Sequence, residues 1–199
     1  ERQKDTFLAM LAHELRNPLA PLRAGLAILR ISEPESDIAL QARDMMERQL
    51  GHMVRLIDDL MDLERVTQGK IELRKERVEL TSALRLAMET CGPAIEEGGH
   101  RLRVEVPERP LYVEADITRC SQLLANVLGN AAKFTPRGGV IEVRLARQGA
   151  EAIVTVTDTG RGIPAAMLDS IFDMFVQVSP AQDRVNGGLG IGLYLVRRL

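Results

Sequence analysis

The chain has 199 residues, and 26 Lys or Arg residues against 28 Asp or Glu residues give a formal net charge of -2 at pH 7. This balance excludes a general nucleic-acid binder or a polybasic membrane binder, because either would carry an excess of basic residues. Hydrophobic residues at 45% predict a folded segment with an aliphatic core. Only two cysteines favour a cytoplasmic setting, and because no apolar run is long enough to span a membrane, we expect no membrane contact.

Residues 1–66 predict a helical hairpin. The segment SEPESD breaks the apolar pattern at Pro34, and Ser36 or Asp37 can cap the second helix. Each predicted helix has one narrow apolar seam at heptad-like spacing, which cannot enclose a core alone. We therefore expect a second copy of the chain to complete a four-helix bundle, which makes the protein a homodimer. The seams are Phe7, Leu11, Leu15, Leu22, Leu26 and Leu29, then Ala42, Met46, Leu50, Met53, Ile57 and Leu60.

Residues 67–199 predict an α+β layer that follows a hinge at 66–70. Glycines mark the end of one helix, and Asp116 is placed to cap the next. The predicted elements, in chain order, are a strand over 70–80, a helix over 81–97, strands over 100–107 and 111–115, a helix over 116–134 and a hairpin over 139–158.

His13 lies on the first predicted helix, opposite the apolar seam, so its imidazole faces solvent or a partner. Glu14 follows directly, and Asn17 lies one turn further along on the same side. The segment HELRN resembles the zinc-protease HExxH motif but has Asn17 in place of the second histidine, which disfavours zinc. An exposed imidazole beside a carboxylate suits a nucleophile, although an isolated exposed histidine is more often without chemistry. We expect no chemistry of His52 and His100.

A second set of polar residues shares one face of the predicted helix over 116–134. Gln122, Asn126, Asn130 and Lys133 follow at positions i, i+4, i+8 and i+11. Amide oxygens and one lysine can hold a metal–phosphate complex. An ordinary solvated face would more often carry Glu and Lys than two asparagines of low helix propensity, but the pattern alone does not decide between the two interpretations.

Two glycine-containing loops follow. Asp158 ends a strand, and Gly160 and Gly162 free the loop behind it. A carboxylate there can accept from a base amine while the glycine backbone approaches the ligand, although an Asp-Thr-Gly turn is also common without function. The glycines of residues 187–192 enter a helix whose N-terminus attracts phosphate, but they match neither a P-loop nor a dinucleotide fingerprint.

In this order the segments resemble the sequence boxes of the sensor histidine kinases of two-component signalling. HELRNPL resembles the phosphoacceptor box of the HisKA-type dimerisation and histidine-phosphotransfer domain. NVLGNAAKFT resembles the N box, DTGRGI the first glycine box, FDMF the F box and GGLGIGL the second glycine box. The resemblance covers nearly the whole chain.

The resemblance implies a role for each matching residue. His13 would accept the γ-phosphoryl group of ATP, Glu14 would polarise or deprotonate it, and Asn17 would position water or the acceptor. In the implied ATP and Mg²⁺ site, Asn126 and Asn130 would bind Mg²⁺ and Lys133 would contact a phosphate. Asp158 would bind the adenine amine, and Gly160 and Gly162 would line the pocket. Gly188, Gly190 and Gly192 would shape a lid, which Phe172 and Phe175 would anchor and to which Arg184 would also belong.

The implied fold class is α plus α/β: a helical hairpin over 1–66 that forms a dimeric four-helix bundle, then an ATP-binding α/β sandwich of GHKL type over 67–199. Because family members continue past the second glycine box, we expect this chain to lack the closing C-terminal strands. Because it begins at Glu1, we also expect it to be part of a longer sensor protein.

The implied function is autophosphorylation on His13 and transfer of the phosphoryl group to an aspartate of a response-regulator receiver domain, with a regulator phosphatase activity. Two alternatives remain: a dimeric nucleotide-binding scaffold without productive transfer, and a GHKL ATPase that couples hydrolysis to a clamp motion. In related ATPases a glutamate that activates water stands where this chain has Asn126. An amide cannot act as that base, which disfavours the ATPase.

Overall fold

The computed structural model describes residues 2–69, 72–177 and 189–199. These residues form two compact units, one of 2–68 with 189–191 and one of 69, 72–177 and 192–199. The functional boundary between 1–66 and 67–199 stays a prediction. In the described part of the chain, no helix has both the length and the apolar character needed to cross a bilayer.

The first unit is the predicted helical hairpin. Helix α1 spans Arg2–Ile31 and α2 spans Asp37–Thr67. Ser36 caps α2, because its hydroxyl accepts a hydrogen bond from the amide of Ala39 at 3.3 Å. Gly25 brings the helices close together, since a Cβ there would lie 2.6 Å from Cγ of Met46.

The hairpin buries only part of its apolar surface. A small set of side chains is fully covered, including Ala39, Ala42, Leu56 and Leu63. The side chain of Phe7 lies outside the described part of the chain. The apolar residues of the two helices that are about half exposed include Leu26, Leu50, Val54 and Ile57.

The second unit confirms most of the predicted α+β elements. Asp116 caps α4 by accepting from the amides of Thr118 and Arg119. The helices and strands, in chain order, are β1 (Glu76–Glu79), α3 (Leu80–Glu97), β2 (Arg101–Glu105), β3 (Tyr112–Ala115), α4 (Ile117–Phe134), β4 (Val140–Gln148), β5 (Glu151–Asp158) and α5 (Gly192–Arg198).

The predicted strand over 70–80 was wrong in length, because only Glu76–Glu79 of its described residues 72–80 form a strand. Its partner β3 ends at Ala115, which pairs with Glu76, so residues 72–75 have no strand to pair with. The backbone amide of Arg74 instead donates to the carboxylate of Asp116 at 3.1 Å. The residue that caps α4 therefore also satisfies the chain before β1.

The sheets place α4 beside the end of β5. Strand β2 pairs in parallel with β4, which pairs in antiparallel fashion with β5, and β1 and β3 form a separate antiparallel pair. Helices α3 and α4 pack against the three-stranded sheet. This core consists of Leu84, Ala87, Cys91, Ile95, Leu128, Ala131, Ala132, Ile141 and Val143, all of them buried. The opposite face of α4 carries the predicted amide residues.

Candidate active site

The three predicted catalytic residues meet at one nitrogen of the His13 ring. The His13 side chain is 54% exposed, as predicted. The amide nitrogen of Asn17 lies 3.2 Å from Nδ1 of His13, one helical turn away. A carboxylate oxygen of Glu14, which is itself buried, lies 3.9 Å from the same Nδ1 atom. Both neighbours therefore approach Nδ1, and Nε2 is the ring nitrogen that neither of them contacts.

The contact with Asn17 bears on which ring nitrogen can act as the nucleophile. In the orientation observed, the amide nitrogen of Asn17 donates, so Nδ1 accepts and the ring proton lies on Nε2. A neutral imidazole carries its proton on one nitrogen and a nucleophilic lone pair on the other. When Nδ1 holds the proton instead, the Glu14 carboxylate at 3.9 Å stabilises it by charge, and the oxygen of Asn17 can accept from it after the amide rotates. The lone pair is then on Nε2, on the exposed face of α1.

The face of α4 opposite the core brings Asn126 to Gly192. The Asn126 amide nitrogen donates to the carbonyl of Gly192 at 3.5 Å. A Cβ at Gly192 would lie 3.3 Å from the amide oxygen of Asn126, so the helix start of α5 sits close against this side chain. Because the nitrogen is engaged, the oxygen is the atom of Asn126 suited to a cation, as Mg²⁺ takes oxygen ligands.

Asn130 lies one turn after Asn126 on α4 and is half-buried. Within the residues described, no group of three or more His, Cys, Asp or Glu side chains is placed to hold a metal ion.

The loop after β5 needs its two glycines for different reasons. The amide of Gly160 donates to the Asp158 carboxylate at 2.8 Å. A Cβ at Gly160 would lie 2.5 Å from that carboxylate and 2.7 Å from the carbonyl of Phe134, so the position has no room for a side chain. Gly162 has open space around it but a φ of +71°, which favours glycine. The Asp158 carboxylate is thus held by the loop that follows it and remains exposed.

Phe134 connects α4 to this loop, and the sequence did not predict that connection. The Phe134 ring lies 5.0 Å from Nζ of Lys133 and 4.7 Å from the guanidinium carbon of Arg161. The amide of Arg161 also donates to the carbonyl of Phe134 at 3.4 Å. Arg161 lies inside DTGRGI, but nothing in the spacing of that motif pairs it with an aromatic ring. The last turn of α4 and the glycine loop therefore form one connected surface.

The residues of the predicted lid are placed less completely. Phe172 lines an open hollow of about 550 Å³ whose other walls include Val196 and Arg197 of α5. Phe175 has a φ of 67° and Gly190 one of 66°; the first is a strained conformation for an aromatic residue. Arg184 and Gly188 lie outside the described residues.

Comparisons with known proteins assign both units to families. Residues 3–69 match the His Kinase A (phospho-acceptor) domain. Residues 115–199 match the family of histidine kinase-, DNA gyrase B- and HSP90-like ATPases. The solved mycobacterial sensor histidine kinase MprB is 30% identical, with a TM-score of 0.53 over 62% of this chain and 76% of that chain. The chain belongs to the histidine kinase family.

Other histidine kinases align with almost the whole chain. The histidine protein kinase DivJ of Caulobacter vibrioides is 32% identical over 96% of this chain and 32% of its own length. The structure of ShkA in complex with AMPPNP is 29% identical, with a TM-score of 0.65 over 96% of this chain and 39% of that one. This histidine kinase chain spans about a quarter to a half of the length of the curated relatives that it matches.

Proposed function

We propose that the chain is an autokinase in which His13 takes the γ-phosphoryl group of ATP bound by the second unit. The observation that carries the proposal is the geometry at His13, an exposed imidazole with Asn17 and Glu14 on Nδ1 and an accessible Nε2. A packing role would not place the ring in so exposed a position. The matches to a phospho-acceptor domain and an ATPase domain within one chain also support the proposal of an autokinase.

The second unit would bind the nucleotide along α4 and the loop after β5. The exposed Asp158 carboxylate would accept a hydrogen bond from the adenine amine, and Gly160 and Gly162 would let the backbone lie close to the base. Lys133 would contact a phosphate as a point charge. The complex of the relative ShkA with AMPPNP, an ATP analogue, supports nucleotide binding by this chain.

The amide oxygens of Asn126 and Asn130 would hold Mg²⁺. The engaged nitrogen of Asn126 fits this assignment, because it directs the oxygen away from Gly192's carbonyl. When bound, Mg²⁺ supplies charge neutralisation at the phosphates. Gly188, Gly190 and Gly192, with Phe172, Phe175 and Arg184, would form the lid over the nucleotide.

Phosphoryl transfer would proceed by attack of the Nε2 lone pair of His13 on the γ-phosphorus of ATP. The new N–P bond forms while the bond from phosphorus to the bridging oxygen of ADP breaks, and ADP leaves. The Glu14 carboxylate, which lies 3.9 Å from Nδ1, would stabilise the proton on Nδ1 or take it up. Catalysis here rests on positioning and charge stabilisation, as is usual for phosphoryl transfer.

The phosphohistidine would then donate its phosphoryl group to an aspartate of a response-regulator receiver domain. Asn17, which contacts the same ring, would position the acceptor during transfer. During dephosphorylation of the regulator it would position a water molecule. We also propose that the hairpin forms a homodimer, because Leu50, Val54 and Ile57 leave an apolar stripe about half exposed in one chain.

Incubation with γ-labelled ATP and Mg²⁺ tests the proposal. Wild-type protein should incorporate acid-labile, base-stable phosphate, and His13→Gln should incorporate none. His52→Gln is the matched control, since His52 is another histidine of the same hairpin, on α2, and it should be labelled like wild type. Label in His13→Gln would show that another residue is the acceptor, and steady ATP hydrolysis without phosphohistidine would favour the GHKL ATPase.

A further inference from the structure

His100 makes an unusual contact with the helix that carries the proposed nucleotide site. It lies between α3 and β2 and is buried, with 9% of its surface exposed. Its Nε2 atom lies 3.0 Å from the carbonyl oxygen of Ala132, in the last turn of α4. A carbonyl can only accept, so Nε2 carries the proton and donates it.

The Ala132 carbonyl needs a donor from outside its helix because of Pro136. In an α-helix this carbonyl would accept from the amide four residues later, and proline has no N–H group. The preceding bond, from the amide of Thr135 to the carbonyl of Ala131, is present at 3.1 Å. Thr135 then turns to an extended conformation, with ψ of 129°, as a residue before proline does. His100 thus supplies the hydrogen bond that Pro136 cannot.

This hydrogen bond ties the end of α4 to the rest of the unit from one side. From the other side, the amide of Arg161 donates to the carbonyl of Phe134. Between them lie Lys133 and Phe134, and Asn130 is one turn earlier. The stretch that would contact the phosphates and Mg²⁺ is therefore held by two segments distant in sequence.

Gly98 makes room for the ring. A Cβ at Gly98 would collide with Nε2 of His100. The backbone of Gly98 is helical, with φ of -72° and ψ of -12°, so alanine would fit there except for the imidazole. Space for His100, and not a special backbone conformation, is what position 98 provides.

We propose that His100 is a positioning residue for ATP, whose Nε2–H group fixes the last turn of α4 in the geometry that binds the nucleotide. The proposal rests on the proposed function of α4 as the nucleotide-binding helix. The hydrogen bond of His100 goes to the backbone of Ala132 and not to a proposed metal ligand or to Asp158.

Two substitutions at position 100 separate the hydrogen bond from mere packing. The amide nitrogen of glutamine is as many bonds from Cα as Nε2 of histidine, so His100→Gln keeps a donor, while His100→Leu fills the space without one. Loss of a buried carbonyl's partner should raise the Kd for ATP with Mg²⁺ about tenfold in His100→Leu and less than about twofold in His100→Gln.

Gly98→Ala tests the same contact without changing His100. It should displace the ring and raise the Kd as His100→Leu does. Gly92→Ala is the matched control, because Gly92 lies in α3, the helix that Gly98 follows, and a Cβ there meets nothing within 4 Å. It should bind ATP like wild type.

All five proteins are measured by titration calorimetry with ATP and Mg²⁺, with thermal unfolding alongside. Equal affinity of wild type, His100→Leu and Gly98→Ala would overturn the role of His100 alone, as would a glutamine variant as weak as the leucine variant. A wild-type chain that fails to bind ATP would overturn the proposed function itself. If His100→Leu does not fold, ¹⁵N NMR of the wild-type ring decides: protonated Nε2 supports the contact, and protonated Nδ1 overturns it.

Discussion

The two units bury their apolar residues in different ways. The second unit encloses Leu84, Leu128 and Ile141 completely between two helices and a sheet. The hairpin leaves Leu50 and Ile57 about half exposed along one side. A layered α/β unit can form its own core, whereas two helices need another surface to cover their seams. The difference teaches that the unit with the proposed nucleotide site encloses a core of its own, while the proposed phosphoacceptor lies on helices that leave apolar side chains uncovered.

The largest change in the free energy of unfolding is expected at the fully buried core of the second unit. Leu128 is fully buried on α4, so Leu128→Ala should lower the free energy of unfolding of that unit by about 2–5 kcal/mol. Leu50→Ala, at a position that is 58% exposed, should leave the unfolding of the second unit unchanged. Chemical denaturation monitored for each variant measures both. Equal losses would contradict the contrast between a closed core and an open seam.

A smaller effect should appear at the open seam of the hairpin. Leu50→Glu would place a charge in the interface of a homodimer, which should raise the dimer Kd by about tenfold or more without altering nucleotide binding. Gln41→Glu adds the same charge at another exposed position of α2 and should leave the dimer intact. Sedimentation equilibrium distinguishes them, and a wild-type monomer at micromolar concentration would refute the dimer.

The smallest effect concerns Asp59 on α2. Burial, with Asp62 and Asp58 nearby, raises the pKa of Asp59 from 3.8 to about 6. The folded state therefore holds a proton that the unfolded chain releases, and stability falls as the pH rises from 3.8 to about 6. Asp59→Asn should unfold at a higher temperature than wild type at neutral pH, and the difference should shrink below pH 3.8.

Thermal unfolding across pH measures this effect of Asp59. Asp44→Asn, at an exposed position of the same helix, is the control and should follow the wild-type pH profile. A constant offset between Asp59→Asn and wild type at every pH would contradict the assigned pKa.

The sequence predicted the elements that depend on local signals. Ser36 and Asp116 were recognisable as helix caps, and strand alternation predicted the β4–β5 hairpin. The strand over 70–80 was too long because its end is set by the length of its partner β3, which no local pattern contains.

In the candidate site too, contacts between residues near in sequence were predictable, whereas contacts between distant segments were not. His13, Glu14 and Asn17 lie within five residues, so helical spacing alone brings them together, and the structure places them so. The contacts of Arg161 with Phe134 and of His100 with Ala132 join distant segments. We expected no chemistry of His100, and only Pro136, which removes a donor from the end of α4, hinted that another group must replace it.

One experiment tests most directly whether the second unit binds ATP and the hairpin supplies the phosphoacceptor. ATP binding and phosphohistidine formation are measured together for wild type, His13→Gln and Asp158→Asn. His13→Gln should bind ATP like wild type and form no phosphohistidine. Asp158→Asn should bind ATP about 10- to 100-fold more weakly, because it loses a charge-assisted hydrogen bond, and should be phosphorylated correspondingly less. Phosphohistidine in His13→Gln, or undiminished ATP binding by Asp158→Asn, would contradict the account.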